Sequence, residues 1–551
     1  MKRNFIWVLI VSAFVANSVA WGQTAVKITP AEKQIVEGVT ADQLRNYLYF
    51  VASDEMEGRD TPSRGLDTTA KFIGMNLARW GFKPAGDDGT FYQKIDLLRY
   101  KIDPAKTAAT MNGQPLAWGT DFLANTTPGS ATNAQLVFAG NGWMVKSKNL
   151  EPLAGVDVKG KIVVVYAENG PRGLTFQQLL ASGKQNVDWM DPISYARTSG
   201  AAGVIILSNP AIANNWDRTR RQREVGGGYF PVKLRDVAPV SFPVIQLSQK
   251  QSEALMAGES SDYAAIVKAY TSSSDPMPAS FALNASKTAT LNVTTIDDHA
   301  KTQNVVGIWE GSDPVLKNEM VAIGAHYDHV GMNPNAQGPD KIWNGADDDG
   351  SGTVSVLSIA EALAKAPKRP KRSVLFVWHC GEEKGLWGSE YFNKFPTVNI
   401  KNVISQLNID MIGRSKAAGD TNPKNKDLTD TNSVYVIGKD MMSSTLGGIV
   451  DSVNKSYLNL GYDTRYDDPK DTNRFFFRSD HFNYAVNGIP ITFWFDGVHE
   501  DYHGAGDEPQ KIDYDKMEKV ARTIMLTLLE LTDLKERPKI DKQLPPELSA
   551  R

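Results

Sequence analysis

The sequence predicts an α/β protein interrupted by a β-rich insert. Three observations carry this reading. From about Thr302 onward, apolar strand-like runs alternate with helical patterns. Between residues 131 and 287 short β-rich runs replace that alternation. Histidines and carboxylates recur at or just after the ends of the apolar runs in the last part of the chain. At 551 residues the chain is too long for one core and calls for two or three domains.

Residues 1–20 have a basic start at Lys2 and Arg3, an apolar run from Phe5 to about Ala16, and a small-residue exit at Ser18-Val19-Ala20. That pattern predicts a secretory signal cleaved after Ala20, too short to be read as a membrane span. No stable membrane insertion is expected after cleavage. The single cysteine, Cys380, allows no intrachain disulfide, and none follows the signal to carry a lipid. Periplasmic or extracellular placement in a bacterium fits that cysteine usage.

Residues 21–130 form the first part of the main domain, with a helical pattern over Thr40–Leu48. Ala52-Ser-Asp-Glu-Met-Glu-Gly-Arg59 then leads into an amphipathic helix from Leu66 to Trp80. The insert, residues 131–287, carries strand-like runs at Ala134–Ala139, Lys161–Tyr166, Gly203–Leu207 and Pro243–Leu247. Its arginine-rich stretch Asn215–Glu224, followed by Gly226-Gly-Gly, reads as a long polar loop.

Residues 288–540 hold the main part of the larger domain, and 541–551 a C-terminal tail. A strand over Val321–Ala325 ends at His326, and a helix follows at Val354–Ala364. A strand over Ser373–Trp378 leads to Glu382-Glu383, a strand from Val403 ends at Asp410, and the exit loop of Pro490–Phe495 carries His503. Open α/β sheets bind ligands beyond the carboxyl ends of their strands.

Five blocks stand at those ends in a fixed order: His326-Tyr-Asp328, Gly345-Ala-Asp347-Asp348-Asp349-Gly350-Ser-Gly352, Gly381-Glu382-Glu383, Asn408-Ile-Asp410 and Asp501-Tyr502-His503. Imidazoles with carboxylates suit a borderline-hard divalent ion such as Zn²⁺. Aspartates before Gly-Ser also commonly cap a helix, and spacing does not choose among the three adjacent ones. His329, His379 and His481 read as supporting or packing residues, and Cys380 as a small buried group. His499 and Glu500 read as pocket rim, and Phe475–Phe477 as wall or core.

In order and context the five blocks resemble those of the M28 zinc peptidases, the aminopeptidase and glutamate-carboxypeptidase group. The resemblance implies a mixed, mostly parallel sheet flanked by helices, the zinc-peptidase fold. It also implies two Zn²⁺, with Co²⁺ or Mn²⁺ as substitutes. His326 and Asp410 would hold one ion, His503 and Glu383 the other, and Asp348 would bridge them. Glu382 takes the place of the general base, Asp328 that of the carboxylate orienting His326, and Tyr502 that of a phenol supporting the oxyanion. Val158–Val165 and Tyr195–Ile205 resemble the protease-associated (PA) domain, a small β-rich module often inserted in such enzymes.

The implied function is an exported aminopeptidase acting on peptide substrates. The alternatives are a glutamate-carboxypeptidase-like enzyme and a receptor-like homologue that has lost catalysis. A one-zinc cyclase fits the full set of five donors less well. A net charge of −3 argues against nucleic acid as a partner, and the sequence carries no signal of oligomeric state.

Overall fold

A computed structural model of the chain describes residues 26–235, 240–272, 278–336 and 338–549. The expected secretory signal lies outside the described residues. The chain divides into two compact units, one running to Lys94 and resuming at Gln303, the other spanning Ile95–Thr302.

The sheet of the first unit is built from β1 (Thr295–Trp309, by its second half), β2 (Met320–His326), β3 (Ser373–His379), β4 (Val403–Ile409), β5 (Ser433–Ile437), β6 (Gly461–Asp463) and β7 (Ile491–Phe495). Their order across the sheet is β1-β3-β2-β4-β7-β5-β6. The four central strands β3, β2, β4 and β7 are mutually parallel. β1 joins β3, and β5 joins β7, antiparallel. The fold is therefore mixed α/β with a parallel centre, as the strand–helix alternation predicts.

Every residue of β2, β3 and β4 is buried. A parallel strand covered on both faces needs a continuous apolar run, which is why Val-Ala-Ile-Gly-Ala and Val-Leu-Phe-Val-Trp show no polar alternation. Helices supply the cover. α1 (Ala41–Val51) starts at Thr40, whose hydroxyl accepts from Gln43 N at 3.2 Å, and α2 (Arg64–Arg79) starts at a Ser63 cap. α3 (Gly352–Lys365) packs against β2, α4 (Trp387–Lys394) against β3, α5 (His481–Val486) against β4 and β7, and α6 (Tyr514–Asp533) against α1, α3 and β2. Leu375 and Val377 of β3, Ala322 of β2, Phe392 of α4 and Tyr484 of α5 meet in one apolar cluster.

The second unit contains strands at Gly129–Phe138, Ile162–Tyr166, Gly203–Leu207 and Val244–Leu247, close to the four expected runs. They lie parallel in that order. Ile162, Val164 and Ile205 enter one core and Val163, Val165 and Val204 another, so both faces are packed. The unit reaches beyond the expected 131–287 on both sides. Ala108–Met111 pairs with Thr288–Val293, which pairs with Gly129–Phe138, so residues outside that range complete the sheet.

The expected polar loop at Asn215–Glu224 is instead a helix, Trp216–Val225, with no buried residue. Arginine, glutamine and glutamate are good helix formers, and Arg220 pairs with Glu224 one turn on at 2.6 Å. Gly226, at φ 99°, ends it. Among the described residues no helix is long and apolar enough to cross a membrane.

Ile323, fully buried at the middle of β2, should be among the costliest positions to truncate. Ile323→Ala is expected to lose about 2–5 kcal/mol in chemical denaturation followed by tryptophan fluorescence. A loss below about 1 kcal/mol would contradict the packing described.

Candidate metal centre

β2 and β3 run in register from Met320 opposite Ser373 to His326 opposite His379, so the chain leaves both strands at one edge of the sheet. β4 ends beside them at Ile409, immediately before Asp410, and β7 ends at Phe495, before the loop to His503. The parallel centre thus delivers four of the five blocks to one place. The fifth, the aspartate turn, lies between β2 and α3.

Around Asp348 the side chains converge. His326 Nε2 lies 3.4 Å from Asp348 Oδ1 and 3.6 Å from Asp410 Oδ2. His503 Nε2 lies 3.1 Å from Asp348 Oδ2 and 3.0 Å from Glu383 Oε2. Two donor groups able to hold a cation therefore share Asp348: His326 with Asp410, and His503 with Glu383, the latter joined by His329. His503 Nε2, Asp348 Oδ2 and Glu383 Oε1 are buried and lack hydrogen-bond geometry to any protein partner. Close approach without hydrogen bonding suits donors arranged around an ion, and the N/O donor set fits zinc.

The three adjacent aspartates do three different things. Asp348 alone faces both imidazole pairs. Asp349 Oδ1 accepts from Gly352 N at 2.8 Å and Met411 N at 3.1 Å, so the helix-capping role falls to it. Asp347 Oδ1 accepts from Gly413 N at 2.7 Å, and its Oδ2 lies 3.3 Å from His499 Nε2. Beneath the turn, the Asp507 carboxylate accepts from Asp347 N and Asp348 N at 3.0 Å. His499, expected at the pocket rim, is buried in this layer instead, with Arg414 Nη1 3.3 Å from its Nδ1.

Glu382 and Glu383 stand in the turn that follows β3, where Gly385 N donates to Glu382 O at 2.8 Å, and their side chains diverge. Glu383 sits with His503 and His329, whereas Glu382 Oε2 lies 4.0 Å from His326 Nε2 and lines the open pocket. Burial pushes the Glu382 carboxyl well above the usual carboxylate range; His326 opposes the rise, and Glu383 and Asp410 add to it. A carboxyl poised to carry a proton is what general acid–base work requires. Burial would lower the His503 imidazole, but Asp348 and Glu383 carry it up to about 10. The same negative field attracts a metal ion, which competes with the proton for Nε2.

Asp328 anchors backbone more than imidazole. Its carboxylate accepts from Glu382 N at 3.1 Å and Thr61 Oγ1 at 3.2 Å, while His326 Nδ1 is nearer its carbonyl, at 3.1 Å, than its carboxylate, at 3.7 Å. Tyr502 stacks on the His503 ring at 4.0 Å, and its hydroxyl accepts from Arg478 Nη2 at 3.4 Å. The pocket, about 190 Å³, is lined by His326, Asp348, Glu382, Glu383, Asp410, Arg478 and Tyr502 together with the apolar Met411, Phe475, Phe493, Phe495 and Val498.

Of the remaining histidines, His379 hydrogen-bonds in the core, with Nε2 3.0 Å from the Tyr484 hydroxyl and Nδ1 3.4 Å from Asp480. His481 stacks on Phe493 at 4.5 Å and burial pushes it down to about 3. Both fit the packing side of the supporting or packing role expected, and His329, with Nδ1 2.9 Å from Glu383 Oε1, stands beside a ligand candidate.

Arg59 ends the Ala52–Arg59 stretch noted in the sequence, and it is a positioning residue to which the motifs gave no role of its own. Fully buried, its guanidinium donates to the carbonyls of Tyr327, Val51, Asn344 and Gly345, at 2.7–3.0 Å. It thus ties the His326–Asp328 segment to the start of the aspartate turn. Burial pushes it down to about 10, with Asp328, Asp507, Asp349 and Asp348 acting against that.

Comparison with known proteins assigns the region that carries the candidate ligands. Residues 304–528, which hold every one of these donors, match peptidase family M28. This region is an M28 peptidase domain. The chain is 27% identical to leucine aminopeptidase 1 of Paracoccidioides brasiliensis over 332 residues, 56% of this chain and 80% of that one. It is 29% identical to leupeptin-inactivating enzyme 1 of Streptomyces exfoliatus over 209 residues, 38% of each chain. A probable leucine aminopeptidase of Trichophyton verrucosum is 35% identical over 111 residues, 30% of its length, so the chain spans only part of several relatives it matches. Among solved structures, the aminopeptidase from Aneurinibacillus sp. strain AM-1 aligns over 94% of this chain and 98% of its own, at 19% identity and TM-score 0.49. The zinc aminopeptidase of Bacillus subtilis aligns over 93% and 99%, at 17% and 0.47.

In the first unit, removal of the Arg59 guanidinium leaves four buried carbonyls without their donor. Arg59→Met should lower unfolding stability by about 3 kcal/mol or more, and Arg59→Lys should recover only part of it. Unchanged thermal unfolding in Arg59→Met would contradict the clamp.

Proposed function

We propose that this protein is an exported aminopeptidase that uses two zinc ions to hydrolyse the first peptide bond of peptides with free amino termini. The observation that carries this reading is the convergence of His326, Asp348, Glu383, Asp410 and His503 with Glu382 in one pocket beyond the parallel strands. His326 and Asp410 would hold one ion, Glu383 and His503 the other, with Asp348 shared. Divalent ions there would supply Lewis acidity toward the peptide carbonyl and toward water.

The chain's own groups account for the remaining steps. Glu382 Oε2 faces the pocket and accepts the proton of the attacking water, then passes it to the departing amine. The Asp328 contact to Glu382 N holds that carboxyl in place. Tyr502, with its hydroxyl on the pocket wall, supports the charge that develops on the carbonyl oxygen. The apolar lining formed by Phe475, Phe493, Phe495, Met411 and Val498 suits a hydrophobic substrate side chain. The segment at residues 1–20 supports export, to the periplasm or the medium. The runs near Lys161–Tyr166 and Gly203–Leu207 support a PA domain within the second unit.

One observation favours a carboxypeptidase instead. Arg478, exposed and over the Phe475 ring at 4.7 Å, is the cation lining the pocket and could receive a terminal carboxylate.

A panel of aminoacyl-p-nitroanilides and N-blocked peptides, assayed with and without chelator, separates the two readings. Chelator-sensitive release from free amino termini, restored by Zn²⁺, is expected, with apolar residues preferred. Glu382→Gln should lower kcat by about 10²–10⁴-fold while the ions stay bound. Hydrolysis of N-blocked peptides from their free carboxyl termini would move the assignment to a carboxypeptidase, and full activity in Glu382→Gln would remove that residue from its role.

A further inference from the structure

The five-donor arrangement treats the two ion positions as equals, each with one imidazole, one carboxylate and a share of Asp348. The M28 domain contains a sixth candidate, His329, three residues after His326. Its Nδ1 lies 2.9 Å from Glu383 Oε1 and 3.7 Å from Asp348 Oδ2. His503 closes the same group from the other side, 3.1 Å from Asp348 and 3.0 Å from Glu383. His329 approaches one oxygen of Glu383 and His503 the other, and one donor atom from each of His329, Asp348, Glu383 and His503 lies within 4.8 Å of the rest, close enough to surround one ion.

The His329 ring is placed for this. It is fully buried, and neither ring nitrogen has hydrogen-bond geometry to a protein group. His481 shares that lack of a partner but stacks on Phe493 at 4.5 Å, whereas His329 Nδ1 faces the carboxylates of Glu383 and Asp348 at 2.9 and 3.7 Å. The backbone holds the ring where it is. His329 N donates to Arg59 O at 3.2 Å, and Gly345, at φ 57°, lies against the ring so closely that a Cβ there would stand 2.4 Å from His329 Cγ. The ring also meets His503 edge to face, with centroids 5.6 Å apart.

The geometry points to His329 as a fourth protein ligand that closes one ion position and makes the two ions unequal. The inference rests on the two-metal reading above. The position formed by His329, Asp348, Glu383 and His503 is four-coordinate from protein alone, as in structural zinc sites. The position formed by His326, Asp348 and Asp410 has three protein donors and an open fourth place, as in catalytic ones. With four protein donors, His329, Asp348, Glu383 and His503 would hold an ion more tightly than the three donors His326, Asp348 and Asp410. The side where Glu382 Oε2 lies 4.0 Å from His326 Nε2 would be left for water and substrate.

The test uses the full chain, stripped of metal and titrated with Co²⁺ by visible absorption, in wild type and His329→Gln, together with a crystal structure of the zinc-loaded wild type. Two equivalents are expected in the wild type, the first giving the intense absorption of four-coordinate Co²⁺. In His329→Gln that first equivalent should weaken by about tenfold or more and lose its intensity, while the other is retained. In the crystal, anomalous scattering should place one zinc within bonding distance of His329 Nδ1. Two zinc ions with His329 Nδ1 outside bonding distance, and an unchanged titration in the variant, would overturn the inference and leave the two-metal reading standing. Absence of bound ion in the wild type would overturn both. If His329→Gln fails to fold, the position of zinc in the wild-type crystal decides alone.

Discussion

The molecule's governing constraint is electrostatic. Asp328, Asp347, Asp348, Asp349 and Asp410 are all buried, and Glu382 and Glu383 stand with them at the end of one sheet. Carboxylates taken out of water beside one another are unfavourable unless paired, hydrogen-bonded or bound to metal. The chain meets part of that need itself. Arg59 stands behind the turn, Arg414 reaches Asp501 at 2.9 Å, and backbone N–H groups donate to Asp507, to Asp328 and to one oxygen each of Asp347 and Asp349. Asp348 Oδ2 and Glu383 Oε1 are left to imidazoles that approach without hydrogen-bond geometry, and a divalent cation would complete that balance.

The fold serves this constraint by bringing distant segments to one edge. Four parallel strands, packed on both faces, are a rigid frame, and their in-register ends set the spacing of the loops. Arg59 and Thr61, far earlier in the chain, lock those loops together. Thr61 Oγ1 donates to Asp328 and accepts from Gly381 N at 3.1 Å, so one hydroxyl joins two of the five blocks. Positioning of this kind keeps donors within the tolerance that coordination and proton transfer demand.

Much of this was legible in the sequence. The continuous apolar runs of β2, β3 and β4 announce parallel strands buried on both faces, and the order of the five blocks places their residues beyond those strands. Other features depend on three dimensions. Nothing in the spacing of Asp347, Asp348 and Asp349 says which one turns toward the imidazoles, because that follows from the path of the turn and from Asp507 beneath it. His329 looks like a packing histidine by composition, and only the position of Glu383 sets it apart from His379 and His481. The second unit extends past its compositional edges because strands from either side complete its sheet. The arginine-rich stretch is helical because local propensity outweighed the flanking glycines.

The central claim is that the buried carboxylate cluster exists to hold divalent ions, and the most direct measurement is the metal content of the freshly purified full chain by elemental mass spectrometry. The account predicts two divalent ions per chain, zinc foremost, removable by chelator and recovered on dialysis against Zn²⁺. A folded chain that carries no divalent ion and takes up none from excess Zn²⁺ would contradict it.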